Sequence, residues 1–394
     1  MPIRVTTAFT SEPYDEATVQ SIARRLREEI GSPITLALAF CGQSYISAAD
    51  EFLETLRIEG HILTLGGCSA QGVIHSNREY QNQDGLSVIA LNLPEVEIVP
   101  QKITSVTDGS FSVGSIDDRA IRFAIALLNP FAMDIEGWFQ EWNRAHPSLP
   151  LIGGLASSLL PPPHAAVFLN EEIIEGGLLL HFRGPICLES LVSQACRPIG
   201  EPMTITQANE NILFSLGTVS AYEVLNKAFE NLPDALKAYA RGNLFVGLAI
   251  NEYQEEFKQG DFLIRNILGA DPNSGAVAVG ARVRVGQTLQ FQLRDPILAR
   301  EELNRLLELK ANSLKATPVA ALLFACNGRG KHLFQLPHHD AALIHQFFPD
   351  TPLAGFFCNG EIAPVHGRNY LHGYTASLAL LVDETKAKKS REST

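Results

Sequence analysis

What the chain lacks narrows its reading first. Its 394 residues hold two tryptophans, three methionines and six cysteines, and no two cysteines stand in a C-x-x-C pair. A zinc ribbon or thioredoxin-like site is therefore not expected, nor is a metal or other cofactor. No apolar run reaches the roughly 18 residues that a membrane-crossing helix needs. The opening Met1-Pro2-Ile3-Arg4 lacks the charged-then-apolar pattern of a secretory leader. Free thiols in a reducing, cytoplasmic setting are the expectation, with no membrane partner. Cations are scarce as well: 31 Lys and Arg stand against 43 Asp and Glu, for a net charge of −12. Such a chain repels phosphate backbones, so no nucleic-acid partner is expected. The one basic cluster is the tail 385–394, read as disordered.

What is present suits a large folded core. Apolar residues make up 46% and charged residues 19%, over a length that fits two domains. Val19, Ile22, Leu26 and Ile30 recur at helical spacing before Gly31, which predicts a helix over 14–30. Ser47–Glu59, Asp118–Leu128, Trp138–Ala145, Ala221–Phe229, Asp234–Ala240 and Asp340–Phe348 also read as helices. Asp295-Pro296 is a start signal for a helix over Ile297–Leu314. Short apolar runs at 34–40, 62–65, 86–91, 96–100, 167–169, 177–182, 191–195, 244–250, 320–325 and 376–382 read as strands. Half-apolar ones at 262–268, 276–279 and 288–293 read as antiparallel strands. The three prolines in Leu159–His164 impose a stiff loop. The fold class is α+β (mixed α/β), in two lobes, each a mixed, largely antiparallel sheet flanked by helices. Four segments follow: an N-terminal helical extension over 1–33, a domain over 34–217, a second over 218–384, and the tail.

Two stretches echo one another. Leu36–Gly42 resembles Ala321–Gly328, and after a helix Leu65-Gly66-Gly67-Cys68-Ser69 parallels Ala354-Gly355-Phe356-Phe357-Cys358. Either the chain contains an internal duplication, or short buried strands ending in glycine look alike. Glycine at a strand exit permits close approach of a backbone or ligand. Four such exits occur: 66–69, 153–157, 326–330 and 358–361. None fits a Walker A loop or a dinucleotide fingerprint. Residues 355–375 are the densest in polar chemistry, with Cys358, Asn359, Glu361, His366, Arg368, His372 and Thr375. Glu361, His366 and His372 match no standard zinc spacing. Cys326 precedes the basic stretch Arg329–His332, and Cys358 precedes two histidines, so either could serve as a nucleophile or simply fill a core. Arg265, Arg282, Arg284 and Arg294 lie among the strands of the second half. They are either solvated or, for Arg265 or Arg294, suited to a ligand carboxylate.

These blocks resemble the FIST (F-box and intracellular signal transduction) family. Leu63–Ile74 resembles its N-terminal signature. Phe262–Arg265, Gln290–Asp295, Cys326–Gly330 and Gly355–Ile362, with His372 and Thr375, resemble its C-terminal one. The resemblance implies a sensory module that holds a small ligand such as an amino acid. Its ligand-binding residues would be Gly67, Cys68, Ser69, Arg265, Arg294, Cys326, Asn327, Gly328, Arg329, Cys358, Asn359, Glu361, His366, His372 and Thr375. About 33 residues precede the first strand read here, too few for the F-box or signalling domains of relatives, so output is expected through a separate signalling protein or oligomerisation. Two rival readings stand beside this one. The first is a cysteine-dependent hydrolase or transferase using Cys326 or Cys358 with His366 or His372. The second is a protein-interaction adaptor.

Overall fold

A computed structural model describes residues 2–31, 33–105, 111–113, 120–159 and 165–385. Most of the proline-rich loop and all but the first residue of the basic tail lie outside them. The chain forms two compact units: 1–192 with 304–371 and 375–394, and 193–303 with 372–374.

The first unit opens on β1 (Arg4–Thr10), α1 (Glu16–Ile30), β2 (Leu36–Cys41), α2 (Gln43–Ser47), α3 (Ala49–Gly60), β3 (Leu65–Ser69), the hairpin β4 (Gly72–His75) and β5 (Arg78–Gln81), and β6 (Leu86–Asn92). The same plan repeats in β7 (Glu97–Ile103), β8 (Ile121–Leu128), α4 (Ile135–Ala145), β9 (Leu151–Leu155), the hairpin β10 (Val167–Leu169) and β11 (Glu172–Ile174), and β12 (Gly177–Arg183), before β13 (Ile186–Gln194). The second unit holds β14 (Cys196–Asn209), β15 (Ile212–Leu216), β16 (Val219–Ser220), α5 (Ala221–Glu230), α6 (Asp234–Ala240), β17 (Leu244–Ala249), β18 (Phe262–Asp271), β19 (Ala276–Val279) and β20 (Thr288–Arg294). After α7 (Pro296–Ser313) the first unit resumes with β21 (Ala320–Cys326), α8 (Lys331–Phe334), α9 (His339–Phe347), β22 (Leu353–Cys358), the hairpin β23 (Glu361–Val365) and β24 (Arg368–His372), and β25 (Thr375–Asp383).

The echo noticed in the sequence is part of a triplication. Three six-stranded sheets run β1-β6-β2-β3-β10-β11, β7-β12-β8-β9-β23-β24 and β13-β25-β21-β22-β4-β5. Each centres on a parallel pair, with β2 on β3, β8 on β9 and β21 on β22. Each hairpin leaves its own repeat and joins another: β4–β5 borders β22 of the third, β10–β11 borders β3 of the first, and β23–β24 borders β9 of the second. The three exchanges close a cycle. One face of every sheet enters a shared core, where Phe40, Phe324 and Phe356 meet; the Phe40 and Phe356 rings stack at 4.8 Å. The opposite face of the first sheet is covered by α1 and α3, through Val19, Leu26, Phe52 and Leu56. Asp15 accepts the Thr18 amide at 2.8 Å to open α1, and Gly31 closes it at φ 64°.

Ile121–Leu128 is a strand, not the helix predicted over 118–128; residues 118 and 119 lie outside the described set. Alanine and leucine favour a helix locally. Here Phe123, Ile125 and Leu127 enter the shared core while Ala124, Ala126 and Leu128 pack toward α4. Burial on both faces makes an inner strand read as one unbroken apolar run. Ahead of α1, the chain pairs β1 with β6, so 1–33 is not helical throughout.

In the second unit every pairing is antiparallel. Its sheet runs β14-β20-β17-β18-β19-β15-β16, and β14 also pairs with β15, which closes six strands into a ring. Val246, Leu248, Val277, Leu289 and Phe291 pack with Leu225 and Ala228 of α5. Asp295 accepts the amides of Ile297 and Leu298 at 3.0 and 3.1 Å, the cap expected for α7.

Candidate functional site

The parallel pairs end together inside the first unit, and three glycines set their common register. A Cβ on Gly67 would lie 2.0 Å from the Ala39 carbonyl oxygen, on Gly153 1.8 Å from that of Ala126, and on Gly355 1.9 Å from that of Leu323. Only glycine lets the paired backbones approach so closely. Counting from these positions, Ala70, Ala156 and Cys358 are equivalent, and so are Gln71, Ser157 and Asn359. The structural register thus sets Gly67 opposite Gly355, one residue from the alignment that the echo suggests.

Beyond the glycines the three tips are laced together. Ser157 donates its amide to Ser69 O at 3.1 Å and its hydroxyl to Phe357 O at 2.6 Å. The Ser69 hydroxyl donates to Ser157 O at 2.9 Å and accepts the Ala166 amide. Asn359 donates its amide to Leu155 O at 3.1 Å and its side chain to Ala156 O at 3.2 Å. The Asn327 side chain donates to Asn359 at 2.8 Å, and Gln81 donates to the carbonyls of Asn327 and Arg329. Ser157, Gln71 and Gln81 escaped the sequence reading. Ser157 ended a glycine exit already noted there, which was the available signal; Gln81 lies in a hairpin whose pairing with a distant sheet no local pattern announces.

Beneath this polar face lies a buried carboxyl. Glu361 is fully buried, and its Oε2 accepts the Thr375 amide at 3.1 Å and hydroxyl at 2.8 Å. Its Oε1 has no hydrogen-bond partner among the described residues, and neither has Asn327 Oδ1. Burial pushes the Glu361 carboxyl up to about 8, against the smaller pull of Thr375, Arg329 and the nearby Cys326 thiol. Glu361 is thus chiefly protonated at neutral pH in the folded protein. Between the ordinary carboxyl range and pH 8, the unfolded chain gives up this proton while the folded site keeps it, so stability falls as pH rises across that window. Urea unfolding at pH 5 and pH 8.5 is expected to show a larger loss for the wild type than for Glu361→Gln, by on the order of a few kcal/mol. Equal losses would contradict this assignment.

The other predicted site residues divide. Arg329 is fully buried, and its guanidinium grips Asp340 through Nε–Oδ2 at 2.6 Å and Nη2–Oδ1 at 3.0 Å. Gly328 is half-buried in the turn before it, whose ends are joined by a bond from the Arg329 amide to Cys326 O. Cys358 is buried, its Sγ only 2.5 Å from where a Cβ on Gly154 would stand. Burial pushes its thiol well above the ordinary range, and does the same to Cys68, the opposite of what a nucleophile requires. Gly67 and Cys68 are buried within β3, Cys68 in the shared core. Exposed His366 turns the β23–β24 hairpin at φ 49°, at the far end of β23 from Glu361. Arg265, Arg294 and buried His372 belong to the second unit. There Arg265 donates to Ile264 O at 2.9 Å, and the Arg294 side chain bonds Tyr239.

A model of the FIST N domain matches residues 35–218, and one of the FIST C domain matches 221–364. An uncharacterised protein of Mycobacterium tuberculosis is 34% identical over 385 residues, spanning 97% of this chain and all of its own length. An uncharacterised protein of Mycobacterium bovis is 31% identical over 380 residues, spanning 95% of this chain and 97% of its own. Among solved structures, a cyanuric acid hydrolase from A. caulinodans covers 97% of this chain and 99% of its own at 8% identity, with a TM-score of 0.34, too loose a likeness to argue from. No helix among the described residues is long and apolar enough to cross a membrane.

Proposed function

The chain belongs to the FIST family of signal-transduction domains, and from that premise we propose that it is a sensory module whose first unit holds a small amino-acid-like molecule at the joined strand tips. The observation that carries the reading is the fully buried Glu361 carboxyl, whose Oε1 meets no nitrogen or oxygen donor among the described residues and has the half-buried Cys326 thiol beside it. A buried polar atom without a strong partner is costly unless something pairs with it. A ligand ammonium would favour the ionised form of Glu361 and donate to it, the displaced proton passing to solvent, and the amides of Asn327 and Asn359 would take the ligand carboxylate. Arg329 does not serve as the carboxylate clamp, because Asp340 already occupies its fork. In this reading the protein is cytoplasmic and a separate signalling protein takes up the output.

A ligand that binds only the native state raises its stability by about 2.7 kcal/mol at one hundred times its dissociation constant. A thermal-shift screen against the amino acids and small dicarboxylates is therefore expected to give at least one saturable upward shift of several degrees. Glu361→Gln should abolish that shift while still folding. If no compound moves the transition at millimolar concentration, the reading fails.

A further inference from the structure

The first unit also contains a cavity of about 350 Å³ beside the start of α4, lined by Phe111, Phe131, Met133, Asp134, Trp138 and Glu141 among others. That volume is at the small end of ligand pockets. We propose that this cavity is a binding site for a small organic cation of the alkylated-ammonium class that also carries a hydrogen-bond acceptor.

Three observations point to that chemistry. Among the described residues, both charged groups of the lining, Asp134 and Glu141, are carboxylates, and no basic side chain lines the cavity. Its apolar wall carries three aromatic side chains, Phe111, Phe131 and Trp138, of which Phe131 is half exposed and Trp138 is 3% exposed. Aromatic faces beside carboxylates attract alkylammonium groups through the negative face of the ring. Last, the Trp138 Nε1 has no hydrogen-bond partner among the described residues. A buried indole N–H ordinarily finds an acceptor, and a hydroxyl or carbonyl on the ligand would supply one. The start of α4 does not convert the cavity into an anion site, because Asp134 already accepts the Gly137 amide at 3.1 Å.

The chain offers a clean reporter. Its two tryptophans, Trp138 and Trp142, both lie on α4 and stack at 5.3 Å, so intrinsic tryptophan fluorescence reads this region alone. Choline is the probe, with its neutral isostere 3,3-dimethyl-1-butanol and sodium chloride as comparisons. The expected result is a saturable fluorescence change with choline and binding at least about 5-fold weaker for the isostere, since that ligand forfeits the cation's attraction to the rings and carboxylates. Exposed Glu141→Gln should weaken choline about 3-fold and leave the isostere unmoved. Glu361→Gln should leave both titrations as they are, which separates this site from the strand tips. Absence of a saturable change, equal binding of the isostere, or indifference to Glu141→Gln would overturn the proposal.

Discussion

Gly153→Ala is expected to be among the most destabilising single substitutions in the chain, at more than about 4 kcal/mol. Two costs coincide there. The new Cβ would fall 1.8 Å from the Ala126 carbonyl oxygen and 2.8 Å from its carbon, both backbone atoms of an inner strand that cannot step aside. The φ of Gly153 is +155°, a region in which an L side chain is strained wherever it finds room. Gly67→Ala and Gly355→Ala meet the first cost at 2.0 and 1.9 Å and should follow closely. Gly269→Ala is the control. It lies on β18 with nothing within 4 Å of its added Cβ, and it should change stability by less than about 0.5 kcal/mol. Urea unfolding of the four variants decides the matter. If Gly153→Ala costs no more than Gly269→Ala, the equivalence of the three strand pairs loses its physical basis.

Much of this fold could be read from local chemistry. The Gly31 end of α1 and the Asp295-Pro296 start of α7 were visible because a cap is a local bargain between neighbouring residues, whereas Asp15, which caps α1, fell inside the helix read over 14–30. The segments that form β2, β3, β21 and β22 were visible as an echo because they are apolar and end near glycine and cysteine, but their parallel pairing was not read. The middle copy hid behind its composition: where the other exits show Cys68 and Cys358, it carries Gly154 and Ala156, and β8 imitated a helix. The exchanged hairpins were invisible for a different reason. Arg78-Glu79-Tyr80-Gln81 looks like a solvated turn, yet Glu79 and Gln81 are buried because β5 packs beside α9 and the Arg329 loop, more than two hundred residues away in sequence. Of the proposed site, the sequence indicated the 326–330 and 358–361 loops, which the structure brings side by side. It misjudged Arg329, whose partner stands eleven residues on in a helix with no local sign of its direction.

That partner supplies the second large effect. Asp340→Asn is expected to destabilise the protein by about 3–5 kcal/mol, because it leaves the Arg329 guanidinium charged, buried and unanswered. Both side chains are fully buried and doubly bonded, His339 Nδ1 adds a contact to Asp340 Oδ1 at 2.9 Å, and the Phe334 ring lies 5.3 Å from the guanidinium carbon. Burial alone would raise the Asp340 carboxyl, but the Arg329 charge and the bonds from His339 and Arg329 outweigh it and hold the group below the ordinary range. Neighbouring Glu79 shows the other outcome, pushed up to about 7 by burial and then by the Asp340 charge. The pair therefore favours a fixed loop more than it favours net stability, and the double variant tests that. Arg329→Met with Asp340→Leu removes both charges and should recover most of the loss, since the desolvation of two ions disappears with their attraction. A double-mutant cycle measured by urea unfolding should give a coupling of more than about 2 kcal/mol. The recovered variant then isolates the role of the loop. Arg329 also ties Cys326 through its amide and Gln81 through its carbonyl, so any ligand response at the strand tips should survive in the double variant if backbone seats the loop, and vanish if the ion pair does. An additive cycle, or a cost for Asp340→Asn below about 1 kcal/mol, would mean that the pair is solvated in solution and that the loop is held by other contacts.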